Sequence, residues 1–346
     1  MQDTRLDERL PVLDGWRGIS ILLVLAAHLL PLGPKTWQLN VAAGMVGMAC
    51  FFVLSGFLVT RMLLHRPDVP GFLLRRLFRI LPLAWAYLIV ALSLENAPLS
   101  AWVAHLLFYA NLMPQALQGA TAHFWSLGVE MQFYLGVALL VACLQRRGLL
   151  LLPLLCLAFT ALRIADGIHF SSLSQYRVDE ILAGATLALV CEHPAFKLIR
   201  AGLARCPTLP ALLLLLLSCH PAGGFLNYLR PYCAALLVGT TLLAPTSPLA
   251  PLLGLRLLAY FASISYALYV IHPLLASTWL GSGEDWDKYL KRPLLFVVLL
   301  VVAHLLSRHF EGRWTALGKR LAERRESLLS IKGGRLLEQS GGTGSN

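Results

Sequence analysis

Charge is scarce in this chain. Asp, Glu, Lys and Arg together make up 14% of 346 residues, too few to clothe a soluble domain of that length. Cysteine pairing is also missing: Cys50, Cys143, Cys156, Cys191, Cys206, Cys219 and Cys233 lie scattered in or beside apolar runs, with no Cys-X-X-Cys step. They read as small core residues, not as a disulfide framework or a thiolate site. Ten histidines are present, yet no His-Glu-X-X-His occurs and no two sit at helical ligand spacing with a carboxylate, so no metal site is expected. A Gly-X-Ser-X-Gly nucleophile elbow is absent. The first apolar run lacks a small-residue cleavage site and follows a stretch of mixed charge, Met1–Arg9, so it is expected to be retained and not removed as a signal peptide. Neither an internal repeat nor a separate soluble domain can be found by inspection.

What the chain has instead is apolar length. Hydrophobic residues make up 57%, which with a mean hydropathy of +0.67 indicates an integral membrane protein. The net charge of +11 is read as topology signal and as contacts to anionic lipid or phosphate, which sets nucleic acid aside as a partner. Runs at 16–32, 43–64, 80–95, 126–144, 149–165, 177–191, 209–220, 225–244, 259–280 and 293–310 are candidate spans, with a weaker run at 101–113. Ten spans with a cytoplasmic N-terminus put Arg5, Arg9, the Arg61–Arg79 group, Arg146, Arg147, Lys197, Arg200, Arg205, Arg256 and the basic tail after Arg308 on the inside. Counting 101–113 as an eleventh span would invert everything after it. The prediction is therefore an all-α bundle of about ten transmembrane helices, with a short re-entrant or interfacial helix at 101–113 bracketed by Pro98 and Pro114. Residues 1–332 form one transmembrane domain, and the glycine- and serine-rich residues 333–346 are expected to be a disordered tail or a non-native appendage.

Ionisable groups inside such spans cost about 2.5–3.5 kcal/mol each on insertion scales, so each is a functional candidate. In the first span Arg17 and His28 are eleven residues apart, roughly 16 Å along the axis. If the span near Trp125 starts at the outer membrane edge, Glu130 shares the level of His28. Two readings then stand side by side: a His–Glu general base, or a polar pair that locks two helices. Arg17 falls on the same inner face as Arg61, Arg75, Arg76 and Arg79, which reads either as a lipid-facing basic run or as a guanidinium cluster for phosphates. Ser55-Gly56 is a small step suited to close helix packing, and it would also leave a slot for a thin ligand. Arg177 and Asp179 are expected to pair or to line an outer vestibule, and His272, followed by Pro273, reads as structural on its own.

Six segments, taken in order, resemble the acyltransferase 3 family of membrane acyltransferases: Trp16-Arg17-Gly18-Ile19-Ser20 through His28, Phe51–Phe57, Arg75–Pro82, Phe124–Tyr134, Arg177–Leu182 and Ile264–His272. The resemblance implies a ten-helix enzyme of the inner (plasma) membrane with both termini cytoplasmic. It would take an acyl group, commonly acetyl, from acetyl-CoA or another acyl-CoA. The acceptor would be a sugar hydroxyl of an exported or cell-surface polysaccharide or a lipid-linked glycan. It further implies His28 as the essential histidine, Arg17 as its partnering arginine and Glu130 as the acidic residue of the Trp-Ser-Leu motif. Trp125, Ser55, Arg75, Arg76, Arg79, Arg177, Asp179 and His272 then become candidate substrate or donor contacts, and other glycan-assembly proteins become candidate partners. Ala27 departs from the aromatic residue that often precedes the histidine. A transporter or flippase of a lipid-linked sugar is the alternative class, because it too would bury charge in a bundle.

Overall fold

The computed structural model describes residues 10–244 and 246–341. Arg5, Arg9 and residues 342–346 of the tail lie outside the described residues. Among those described there is no strand, and the helices in order are α1 (Pro11–Leu29), α2 (Leu39–His65), α3 (Val69–Leu94), α4 (Leu99–Leu106), α5 (Trp125–Gly148), α6 (Leu152–Ala165) and α7 (Val178–Glu192). They are followed by α8 (Lys197–Arg205), α9 (Thr208–Cys219), α10 (Arg230–Leu243), α11 (Ala250–Leu253), α12 (Arg256–Ala276), α13 (Asp285–Leu305) and α14 (Gly312–Gly341). The last helix covers the start of the segment read as a disordered tail.

Among the described residues, six helical stretches are long and apolar enough to cross a membrane, or seven if α7 and the segment Pro194–Arg205, bent by 92°, count as one. Ten were expected. The difference has a physical cause: α6, α7, α9 and α10 hold 14, 15, 12 and 14 residues, short of the ~20 that a 30 Å layer asks of one helix. The runs at 126–144 and 149–165 are also joined, because Gly119–Ala165 is one continuous helical stretch bent near Gln145. The segment 101–113 holds a short helix, as its prolines suggested. α4 is eight residues long, about 12 Å, with Leu99, Val103 and Leu107 exposed along one side.

Two crossings fix the architecture. α1 lies between α2 and α12, and α2 lies along α7. The second contact is backbone to backbone, since a Cβ on Gly56 would stand 1.8 Å from the Ile181 carbonyl oxygen and one on Gly184 would stand 1.9 Å from that of Val53. In lipid, where burial of apolar area no longer drives association, such small-residue contacts hold helices together. The packing role read for Gly56 is what the structure shows. Gly44 differs, because its added Cβ would meet Ala27 at 3.4 Å.

Gly56→Ala is therefore expected to lower stability by about 1–3 kcal/mol through overpacking, and Gly44→Ala to leave it nearly unchanged. Thermal unfolding of the detergent-solubilised variants checks this, and equal midpoints for the two would contradict the α2–α7 contact.

Candidate active site

α1, α2, α3, α5 and α12 converge on a narrow internal cavity of ≈ 60 Å³ lined by Arg17, Ser55, Arg76, Arg79, Glu130 and Tyr134, with Ser265 and Tyr266 on the α12 side. At its centre is the Glu130 carboxylate, which accepts from the Ser55 and Tyr134 hydroxyls on one oxygen, those two hydroxyls being 3.0 Å apart. The Arg76 guanidinium stacks on the Tyr134 ring at 5.5 Å, a cation–π contact that holds it in place. Arg17 approaches Asp14 at 3.8 Å. Three guanidiniums in the lining thus face one carboxylate in a site walled by apolar helices. Planar guanidiniums grouped in this way suit phosphate oxygens. Arg75 stays outside this cavity. Its side chain points to α14, 3.8 Å from Glu326, beside the Asp68–Arg325 pair at 2.6 Å.

A second group sits farther along α1. The rings of His28 and His272 lie 5.1 Å apart, and those of His272 and His123 lie 5.4 Å apart. Because a carbonyl only accepts, Nδ1 of His28 donates to the Val24 oxygen (2.9 Å), and Nδ1 of His272 donates to the Tyr269 oxygen (2.8 Å). Neutral rings held this way present Nε2 as the basic atom. His28 is exposed, with Nδ1 taken by the Val24 carbonyl and its ring held beside that of His272. His272 is buried with Nε2 unpartnered, and His123 donates Nε2–H to the Val270 oxygen at 3.2 Å while its Nδ1 has no partner.

The pairing of His28 with Glu130 is not what the structure shows. No hydrogen bond or ion pair joins them, and Glu130 belongs to the Arg17 end of α1. The sequence reading placed Trp125 at the outer edge, but the preceding 3₁₀ segment, Gly119–Phe124, is itself tucked into the bundle. Its Ala120 N–H is bound by the Glu95 carboxylate (2.7 Å), and its Ala120 carbonyl accepts from the Tyr87 hydroxyl (2.7 Å). His123 therefore takes the level of His28, and Glu130, seven residues on, lies roughly 10 Å deeper. His28 also stands in the open, not in a water-excluded pocket.

Arg177 and Asp179 also depart from expectation. They neither pair with each other nor line a vestibule. Arg163 and Thr160 bind Asp179, and Arg177 (3.1 Å) and Arg230 (2.6 Å) bind Glu180, all of the charged side chains being fully buried. The Arg177 guanidinium also lies over the Trp125 ring at 5.0 Å and the Phe52 ring at 5.7 Å, so Trp125 here covers a cation and meets Phe52 of α2 edge to face. The sequence reading passed over Arg163, Arg230, His123 and Tyr134. The first two carried the signal of a charge inside an apolar run, and Tyr134 stands one helical turn after Glu130. His123 had none, because it lies in a segment that reads as an outer loop. Among the described residues, no group of His, Cys, Asp and Glu side chains is placed to hold a metal ion.

A helical bundle with part-buried arginines at one depth and an exposed histidine at another agrees with what the acyltransferase resemblance implies. A family model described as an acyltransferase domain matches residues 10–307, and the chain belongs to that acyltransferase 3 family. A protein of Staphylococcus aureus strain COL, provisionally named an O-acetyltransferase, is 33% identical over 149 residues, 36% of this chain and 24% of that protein. A protein of Komagataeibacter xylinus, provisionally named the membrane-bound transacylase BcsY, is 30% identical over 166 residues, 40% of each chain. The O-acetyltransferase OatA of Staphylococcus aureus is 25% identical over 232 residues, 54% of this chain and 36% of that protein. The matches thus span about a quarter to two fifths of the relatives' length. No solved structure matches the chain.

Removing one partner from the Asp179–Glu180 cluster strands a buried charge, so Glu180→Ala is expected to cost about 3–5 kcal/mol or to abolish folding. Glu130→Gln, which keeps a hydrogen-bond acceptor beside Ser55 and Tyr134, should cost far less. Expression level and thermal unfolding of the two variants provide the comparison, and the reverse order would overturn the division between framework and site.

Proposed function

We propose that this protein is a membrane O-acyltransferase. It moves an acyl group, acetyl foremost, from cytoplasmic acyl-CoA to a sugar hydroxyl of an exported or cell-surface polysaccharide or a lipid-linked glycan. One observation carries the reading: Arg17 and His28 share a helix, eleven residues and roughly 16 Å apart, the first in a cluster of guanidiniums and the second exposed. A phosphopantetheine arm, about 13 bonds from phosphorus to sulfur, extends roughly 16 Å. With its pyrophosphate held by Arg17, Arg76 and Arg79, the neutral arm passes Ser55 and brings the thioester to His28. The names of the relatives, O-acetyltransferase and transacylase, agree with this chemistry.

In this reading the acceptor hydroxyl gives its proton to Nε2 of His28 while its oxygen bonds the thioester carbon. The C–S bond then breaks, and the thiolate takes the proton back from His28 to leave as the free CoA thiol. His272, buried behind His28 with the rings 5.1 Å apart, keeps the His28 ring in register. Glu130 sets the spacing of the arginines; it does not orient His28. Arg177, Asp179 and Trp125 act at one remove, by holding α2, α5 and α7 in place. The four short helices α6, α7, α9 and α10 complete ten crossings of the inner (plasma) membrane, both termini are cytoplasmic, and glycan-assembly proteins supply the acceptor.

His28→Ala is expected to lower transfer from labelled acetyl-CoA by about 10²–10⁴-fold in membranes containing the acceptor. Retained transfer at the parental rate would end the general-base assignment. Arg76→Gln or Arg79→Gln should weaken CoA binding about tenfold or more, whereas Arg75→Gln, whose side chain faces Glu326, should leave it close to parental. Isothermal titration with CoA reads the difference, and equal losses for Arg75 and Arg76 would contradict the pocket.

A further inference from the structure

At the inner ends of α2, α5 and α7 lies a second cavity, ≈ 320 Å³, with Arg146, Arg147, His65 and His193 on its polar side and Leu64 and Leu150 on its apolar side. Both oxygens of the one carboxylate in the lining, Glu192, are already engaged, by Nε of Arg61 at 2.9 Å and by the His65 ring at 3.7 Å. Arg146 donates to the His65 carbonyl oxygen at 2.8 Å, and among the described residues Arg147 has neither an ion pair nor a hydrogen bond. The two arginines therefore keep their charge for something else.

The backbone is bent to bring them there. Consecutive residues on a helix diverge by about 100°, so Arg146 and Arg147 of an unbroken α5 would not line one cavity. Gln145 breaks the helix at φ 54°, ψ −151°, a region in which only glycine is at ease, and both guanidinium-bearing residues enter the lining. A strained residue of this kind at the mouth of a cavity is the mark of a binding segment and not of a plain helix end.

The depth fits the donor. His65 is ten residues inward of Ser55 on α2, so this cavity lies roughly 15 Å below the guanidinium cluster, toward the cytoplasm. Past its pyrophosphate, CoA continues for about 10 Å as an adenosine carrying a 3′-phosphate, and an arginine side chain reaches about 6 Å from its Cα. A phosphomonoester bears close to two negative charges at neutral pH and suits paired guanidiniums, while Leu64, Leu150 and Pro194 offer an apolar wall to a purine ring. We infer that this inner cavity binds the 3′-phosphorylated adenosine end of the acyl donor, with Arg146 and Arg147 on the 3′-phosphate; the inference rests on the donor reading given above. An anionic lipid headgroup offers similar chemistry from a different source.

The test compares binding of CoA and 3′-dephospho-CoA to the purified full chain in nanodiscs of zwitterionic lipid, for the parent and for an Arg146→Gln/Arg147→Gln variant. The parent is expected to bind CoA about tenfold or more tightly than 3′-dephospho-CoA. The variant should bind both at the weaker affinity, with an unchanged unfolding midpoint, and Arg146→Lys/Arg147→Lys should restore part of the preference. A parent that does not distinguish the two ligands, or a variant that still does, would overturn the inference. So would a variant whose one defect is a lost response to added phosphatidylglycerol, which assigns the arginines to lipid. A parent that binds neither ligand would remove the CoA donor itself, an outcome distinct from failure of the subsite alone.

Discussion

The guanidiniums of Arg17, Arg76 and Arg79 around the Glu130 carboxylate set the terms for the rest of this bundle. Charge moved from water into a low-dielectric interior costs several kcal/mol per ion unless it is paired and hydrogen-bonded, and here Arg17 meets Asp14 at 3.8 Å while Glu130 accepts from two hydroxyls. Ser55, Tyr134 and the stacking of Arg76 on Tyr134 fix the arrangement. The helices that contribute to the site are themselves held by close packing. The close contact of Gly56 with α7 and the buried Asp179–Glu180 cluster perform that holding from the opposite side of α2.

Separating an anion site from an open histidine by half a membrane thickness has a chemical use. In the proposed reading the charged part of the donor need never enter hydrocarbon, because it stops at the arginines and the part that goes farther is a thin, neutral chain. His28, at the far end of that path, is exposed. His272, packed beside it, and His123, packed on His272, each have one ring nitrogen tied to a backbone carbonyl, which fixes their tautomers and leaves the other nitrogen buried without a partner.

Part of this was legible in the sequence. His28 stood out as an ionisable group in an apolar run, and Arg17, Arg76 and Arg79 as a basic group on one inner face, readable either as lipid contacts or as a phosphate cluster; the structure brings the three arginines into one lining. Glu130 stood out as well, but its depth was misread. Hydropathy marks where a run is apolar, not whether the chain before it has already entered the bundle, and the entry of Gly119–Phe124 depends on Glu95 and Tyr87, which are distant in sequence. The span count is less direct for a related reason. Hydropathy counts α6, α7, α9 and α10 as spans although each is shorter than one straight crossing asks, and α6, α7 and α10 are joined by the ionic contacts Arg163–Asp179 and Arg230–Glu180 that no linear reading can see. Arg75 shows the limit of grouping by proximity: it neighbours Arg76 in the chain, yet helical geometry turns it toward α14.

The central claim is a donor site and an acceptor site on opposite sides of one membrane, joined through the α1 path. Proteoliposomes of one orientation can hold the two substrates apart, with labelled acetyl-CoA on the side of the arginines and the glycan acceptor on the side of His28. The account predicts labelled acceptor, with CoA released on the donor side and no acetyl-CoA found across the membrane. Transfer only when both substrates share a compartment would contradict it.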